Sequence, residues 1–230
     1  LTLTLGIMDL VNLAHGSLYM MGAYIAWTLI GLTDSFVVGA LLALPAIFLL
    51  GVAVEIVVVR KLYARYHLTQ VLATFGLILF FNELVRAFWG PGCKSIAVPG
   101  FLNRTIEILP GVPYPAYRFA IIVVGALVAI MLAWLVARTR LGMLIRAGAS
   151  NRRMIGALGV NIELLFSLVF GLGAVFAGLA GLMSAPIASV RIGMGDDILI
   201  LALVIIVIGG IGSIKGAFIA AMVVGQIDIV

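Results

Sequence analysis

Residues 119–137 contain no ionisable group, and neither do residues 164–190. Runs of this length cross the roughly 30 Å hydrocarbon layer of a bilayer, because about 20 apolar residues rising 1.5 Å each span it as a helix. Two further runs read the same way. Residues 36–59 carry only Pro45 and Glu55 as interruptions, and residues 68–90 carry Asn82, Glu83 and Arg86 in their second half. The composition leaves no other fold class: 64% of the 230 residues are hydrophobic and 10% charged, too few charges to clothe a water-facing surface. The expectation is an all-α, polytopic transmembrane helix bundle forming a single domain over residues 1–230.

The ends are less regular. Residues 1–30 are apolar but hold Asp9, Asn12, His15 and Gly16, and residues 17–30 are too short to span without borrowing from that polar stretch. Residues 198–230 are cut by Gly209-Gly210-Ile211-Gly212-Ser213 and by Lys215, which suggests two short helices. The count predicted from sequence is therefore six to eight spans or half-spans. Both ends, starting at Leu1 and stopping at Val230 inside apolar runs, are expected to be truncations.

Loop charges predict an orientation. Arg60, Lys61 and Arg65 follow one span, and Arg138, Arg140, Arg146, Arg152 and Arg153 follow another two spans later. Basic loops stay in the cytoplasm, which places 60–67 and 138–163 there and the segments 91–118 and 191–197 outside. The net charge of +5 is thereby explained without nucleic acid. The 91–118 segment, rich in Pro-Gly pairs, is expected to form an external cap, and the 138–163 segment to carry short surface helices.

Polar residues inside spans need a partner or a wet cavity. Glu83 and Arg86, three apart, suit a structural ion pair on one helix face but remain candidates for a translocation path with Asn82. Glu55 can snorkel or meet Arg60. Asn12 and His15 fit either a discontinuous helix beside a substrate path or an interfacial loop. Gly173, Ala177 and Gly181 recur every fourth residue, as do Ala217, Ala221 and Gly225, a pattern that lets helix backbones approach closely.

Catalytic signatures are weak. His15 and His67 lie on unrelated segments, Cys93 is the single cysteine, and no metal site, cofactor or catalytic residue is expected. In Gly209–Lys215 an isoleucine precedes the lysine where a phosphate-binding loop requires glycine. Gly193-Met194-Gly195-Asp196 matches an element of intramembrane aspartyl proteases, a remote alternative, but the Tyr-Asp that would supply a second aspartate is missing.

The ordered motifs resemble one family, the LivH-type permease subunits of branched-chain amino-acid ABC importers. The matching stretches are Leu3-Thr4-Leu5-Gly6-Ile7-Met8, Asn12-Leu13-Ala14-His15-Gly16, Met21-Gly22-Ala23-Tyr24 and Ala73-Thr74-Phe75-Gly76-Leu77. They continue with Thr139-Arg140-Leu141-Gly142, Arg146-Ala147, Leu158-Gly159-Val160-Asn161, Phe176-Ala177-Gly178-Leu179-Ala180-Gly181, Met194-Gly195, and Gly209 to Ser213 followed by Gly216-Ala217. The resemblance implies a transport subunit of the bacterial inner membrane, paired with a second permease. Two cytoplasmic ATPase subunits and an external substrate-binding protein would complete the complex. It also implies that Arg146, Ala147, Asn151, Arg152, Arg153 and Gly159 lie in the segment that meets the ATPases. Asp228 departs from the family, standing where glutamate is more usual. Relatives that carry urea or short amides, and a secondary transporter or channel, are the alternative readings.

Overall fold

The computed structural model describes residues 2, 4, 12–63, 65–109, 112–150 and 152–227, so Asp9, Asn151 and Asp228 lie outside the described residues. Among these, nine α-helices and one β-hairpin form an all-α bundle with a small β annex: α1 (His15–Thr33), α2 (Phe36–Val57), α3 (His67–Trp89), β1 (Thr105–Leu109), β2 (Val112–Pro115), α4 (Ala116–Arg138), α5 (Arg140–Ser150), α6 (Arg152–Ala157), α7 (Ile162–Ala188), α8 (Met194–Gly209) and α9 (Ile214–Ile227). A short 3-10 turn, Val59–Leu62, extends α2.

Four helices are long and apolar enough to cross a membrane: Phe36–Leu62, His67–Trp89, Ala116–Arg138 and Ile162–Ala188. These are the four long apolar runs identified in the sequence. The expected count of six to eight is corrected to four on this criterion. The shortfall is physical. Helix α1 opens on His15, Gly16 and Ser17, which dilute its hydropathy. Helices α8 and α9 have 16 and 14 residues, or about 24 and 21 Å at 1.5 Å per residue, less than a bilayer core.

The arrangement inverts the hydropathy order. Helix α1, the more polar one, lies in the middle, with α2 and α7 packed on it and on each other. Leu18, Met20, Ala23, Tyr24 and Ala26 are all buried, so α1 is enclosed on nearly every side. Helix α4, with no charge between Arg118 and Arg138, buries only Ala116 and Tyr117 in its first turn. Its remainder stands off α7 across apolar clefts of about 330 and 280 Å³ lined by Gly125, Val128 and Phe176. Lipid removes the hydrophobic reason to bury a greasy helix, so the peripheral position costs α4 nothing.

Glycines permit the central packing. A side-chain carbon on Gly22 would overlap the Cα and carbonyl of Gly178, and one on Gly181 would overlap the carbonyl oxygen of Tyr19. Gly16 and Gly195 face each other in the same way, each meeting the other's carbonyl, which clasps the start of α8 onto the start of α1.

The 91–118 segment is more ordered than its turn-rich sequence indicates. Strands β1 and β2 pair antiparallel in the register Thr105↔Pro115, Ile106↔Tyr114 and Glu107↔Pro113, with an irregularity before Leu109↔Val112. Lys94 forms a backbone bridge to Val190 at 2.7 and 2.8 Å, tying this segment to the end of α7. The Tyr117 hydroxyl donates to the Met183 carbonyl at 2.9 Å, the anchor of α4 at this end.

Gly22→Ala should lower the thermal stability of the detergent-solubilised protein by about 1–3 kcal/mol through overpacking against backbone. Gly31→Ala, in the same helix with open space around it, should be neutral or stabilising by up to about 1 kcal/mol. A fluorescence-detected unfolding series on the two variants checks the contrast.

Candidate translocation and coupling sites

The residues singled out in the sequence fall in separate places. Asn12 precedes α1 and is buried; its carbonyl accepts the His15 N–H at 3.4 Å. Among the described residues, neither polar atom of its buried side-chain amide has a hydrogen-bond partner, an arrangement that costs roughly 1–3 kcal/mol. His15 begins α1 and, with Gly16 and Tyr19, lines a cavity of about 240 Å³. Phe176, Ala177 and Ala180 of α7 and Ile198, Leu199 and Ala202 of α8 close its walls. The cavity is mainly apolar, with polar groups on the α1 side.

Asn82, Glu83 and Arg86 line no part of that cavity. Arg86 Nη1 and Glu83 Oε1 pair at 2.8 Å, with both side chains more than half exposed, so the pair faces outward from the bundle. Asn82 is half-buried beside them. Of the small residues, Gly181 meets the α1 backbone, Ala177 lines the cavity, and Gly173 lies in ordinary contact range of the His15 ring. Gly178 also meets the α1 backbone, at Gly22.

The GxGD element has a structural explanation. Gly193 takes the left-handed conformation (φ 80°) that caps α8, Gly195 supplies the close approach to Gly16, and Asp196 and Asp197 occupy the first helical turn. Carboxylates there complement the positive end of the helix dipole. Asp197 is further paired with Arg191.

At the end bearing Arg60, Lys61 and Arg65, residues 138–161 form two short helices. The Thr139 hydroxyl donates to the Leu135 carbonyl and accepts the Gly142 N–H at 3.1 Å, a cap that closes α4 and opens α5 in one residue. A side chain at position 142 would strike the carbonyls of Leu135 and Val136. Arg146 is exposed and donates to the Val136 carbonyl, while Ala147 is half-buried. Ile145 and Ile155 are the buried anchors of α5 and α6. Arg152 and Arg153 lie in α6, and Gly159 follows it with φ 85°. Asn161 caps α7 by accepting the Leu164 N–H at 3.1 Å.

Beside these helices lies a cluster that the sequence pattern only hinted at. Glu55, in α2, is completely buried. Its Oε2 accepts from the Ser167 hydroxyl at 2.6 Å and from Arg60 Nη2 at 3.2 Å, and its Oε1 accepts from the Tyr63 hydroxyl at 3.1 Å. Arg60 also reaches Glu163 at 3.0 Å and donates to Ser167 Oγ at 2.8 Å. Of the two readings open for Glu55, pairing with Arg60 is the one adopted. The signal was an acid in an apolar helix followed five residues later by arginine; its partners on α7 had none.

A cleft of about 480 Å³ opens at the opposite end, lined by Trp27, Asp34, Phe36 and residues 95–101. Lys94 Nζ sits 5.2 Å from the centre of the Trp27 ring.

Comparison with known proteins assigns the architecture. The family model described as "Branched-chain amino acid transport system / permease component" matches residues 1–230, and the chain belongs to that family. It is 31% identical over 236 residues to the high-affinity branched-chain amino acid transport system permease protein BraD of Pseudomonas aeruginosa, covering 97% of this chain and 77% of that one. It is 27% identical over 247 residues to LivH of Escherichia coli, with the same coverage. The ribose import permease protein RbsC of Escherichia coli is 25% identical over 232 residues, 95% of this chain and 68% of that one. No solved structure matches the chain at a significant level. Family membership makes the protein a multi-pass ABC-type permease subunit of the bacterial inner membrane, with a transport role rather than a catalytic one.

Proposed function

We propose that the chain carries a branched-chain amino acid into the cytoplasm as one of two permease subunits, driven by two ATPase subunits and fed by an external binding protein. The observation that carries this reading is the match of the whole chain to the branched-chain permease family, together with 31% identity to BraD. A chain without a phosphate-binding loop needs its ATP-hydrolysing motor on another subunit. The positive-inside rule supports placing the Arg60 turn and α5–α6 in the cytoplasm. The cleft at Trp27 and Asp34, and the capping segment 91–118, then face the binding protein.

The translocation path runs beside α1, where His15 and Tyr19 face the cavity walls of α7 and α8 and Asn12 lies just before the helix. An apolar cavity with polar groups on one side suits a small solute that is aliphatic at one end and polar at the other. Asn82, Glu83 and Arg86 form a separate outer polar group, for which an entrance role is the functional reading. The α5–α6 segment, with Arg146, Ala147, Asn151, Arg152, Arg153 and Gly159, is the ATPase-coupling element. Its exposed Arg146 and its two buried isoleucine anchors favour a rigid knob over a loose loop. Of the small-residue ladder, Gly181 holds α7 against α1 while Ala177 faces the path and Gly173 lies near the His15 ring.

Uptake measured in cells lacking their own leucine importers, with the chain expressed beside the ATPases and binding protein of its gene neighbourhood, tests the cargo. ATP-dependent leucine uptake that isoleucine and valine compete for is expected; uptake of urea, acetamide or ribose in its place overturns the assignment. In the same assay, Asn12→Leu and His15→Leu should each cut transport about ten-fold while leaving membrane insertion intact, since losing a polar contact to the passing solute is worth roughly 1–3 kcal/mol. Normal uptake in both would remove them from the path. Charge reversal at Arg152 and Arg153 should abolish co-purification of the ATPases, and undiminished co-purification would remove α6 from the interface.

A further inference from the structure

The cluster around Glu55 joins three stretches of chain that the helical ladder does not. Glu55 belongs to α2, Arg60 and Tyr63 to the turn after it, and Glu163 and Ser167 to the first two turns of α7. A carboxylate fully removed from water is costly unless its lone pairs are filled, and breaking such a pair is more costly still. Here each oxygen receives two donors, with Arg60 Nε lying 3.4 Å from Oε1 as the weakest of them. The Ser167 hydroxyl has one proton and two acceptors in reach. The 2.6 Å contact to the charged Glu55 oxygen is shorter than the 3.0 Å contact to the Glu163 carbonyl, so the proton goes to Glu55 and the oxygen accepts from Arg60.

One guanidinium therefore spans two carboxylates and a hydroxyl from two helices, a task that needs the planar, multi-donor head of arginine. Its location gives the cluster a mechanical meaning. Helix α7 starts at Ile162, a few residues after the end of α6 at Ala157, and Asn161 fixes its first turn. Helices α2 and α7 are also the two that enclose α1.

We infer that Glu55, acting through Arg60 and Ser167, is a positioning residue that makes the end of α2 and the start of α7 one rigid body, so that displacement of α5–α6 reaches both walls around α1. This rests on the coupling role proposed above for α5–α6. In this role the buried pair contributes geometry rather than stability, since an apolar contact of equal volume is often as stabilising.

The experiment uses the whole transporter with its ATPases bound, reconstituted in lipid. Cys93 is replaced by serine, and nitroxides are placed at Val57→Cys and Leu164→Cys, two positions that point outward from the bundle. Pulsed electron paramagnetic resonance should give one narrow distance, unchanged between the nucleotide-free and ATP-vanadate states. Glu55→Gln preserves shape but not charge; it should widen the distribution about two-fold in the trapped state and cut leucine delivered per ATP about ten-fold, the loss expected for one charged hydrogen bond. An unchanged distribution overturns the inference. So does a widened one with normal leucine delivered per ATP, because the contact would then be structural only. If Glu55→Gln does not accumulate, Ser167→Ala removes one donor without unpairing a charge and is judged by the same two readouts. Failure of the coupling reading shows differently, as α6 variants that retain their ATPases.

Discussion

Everything in this bundle depends on how closely α1 approaches α7. At Gly22–Gly178 and at Gly181–Tyr19 the two backbones touch with no side chain between them. Within a bilayer, apolar helices gain little by leaving lipid for protein, so close van der Waals packing and hydrogen bonding must hold the bundle together. Backbone contact supplies the first and fixes the crossing so tightly that α2 can close over both helices. The interior place then falls to the helix that lipid would tolerate least. His15, Ser17, Tyr19 and Tyr24 are kept from hydrocarbon because the glycines of α7 let α1 sink between its neighbours.

The same logic separates what was legible in the sequence from what was not. Length and hydropathy identify a span because the bilayer imposes one thickness on every helix, so 36–59, 68–90, 119–137 and 164–190 were each readable. Position within the bundle was not. When every face of a helix is apolar, periodicity no longer distinguishes inside from outside, and nothing along residues 119–137 announces that α4 stands at the rim. The central place of α1 was hidden for the opposite reason: its polar residues marked it as a doubtful span, while burial among other helices is what resolves their cost. The β-hairpin was missed because Pro113 and Pro115 argue against a strand, yet both lie in a two-stranded edge where a missing N–H goes unpunished.

Polar side chains show the sharpest contrast. Glu83 and Arg86, three apart, could be paired from sequence alone, and they do pair, facing outward. Glu55 lies five residues from Arg60, also within sight of a sequence reading, but the shortest contact in its shell comes from the Ser167 hydroxyl, more than a hundred positions away. Local spacing reveals a local ion pair; it cannot reveal which distant helix supplies the other donors. Asn12 is a third case. Its amide is buried and has no partner among the described residues, and neither fact could be inferred from a polar letter in an apolar run.

On α7 the residues that hold the bundle and those that shape the cavity are different ones. Gly178 and Gly181 abut other helices and leave no room for a larger side chain, whereas Phe176, Ala177 and Ala180 look into the space beside His15. Ala202 on α8 completes that wall. Methyl groups can be added or removed on one set without disturbing the other. A scaffold divided in this way is evolvable: the cavity beside His15 can drift in size and character through single substitutions while the frame persists.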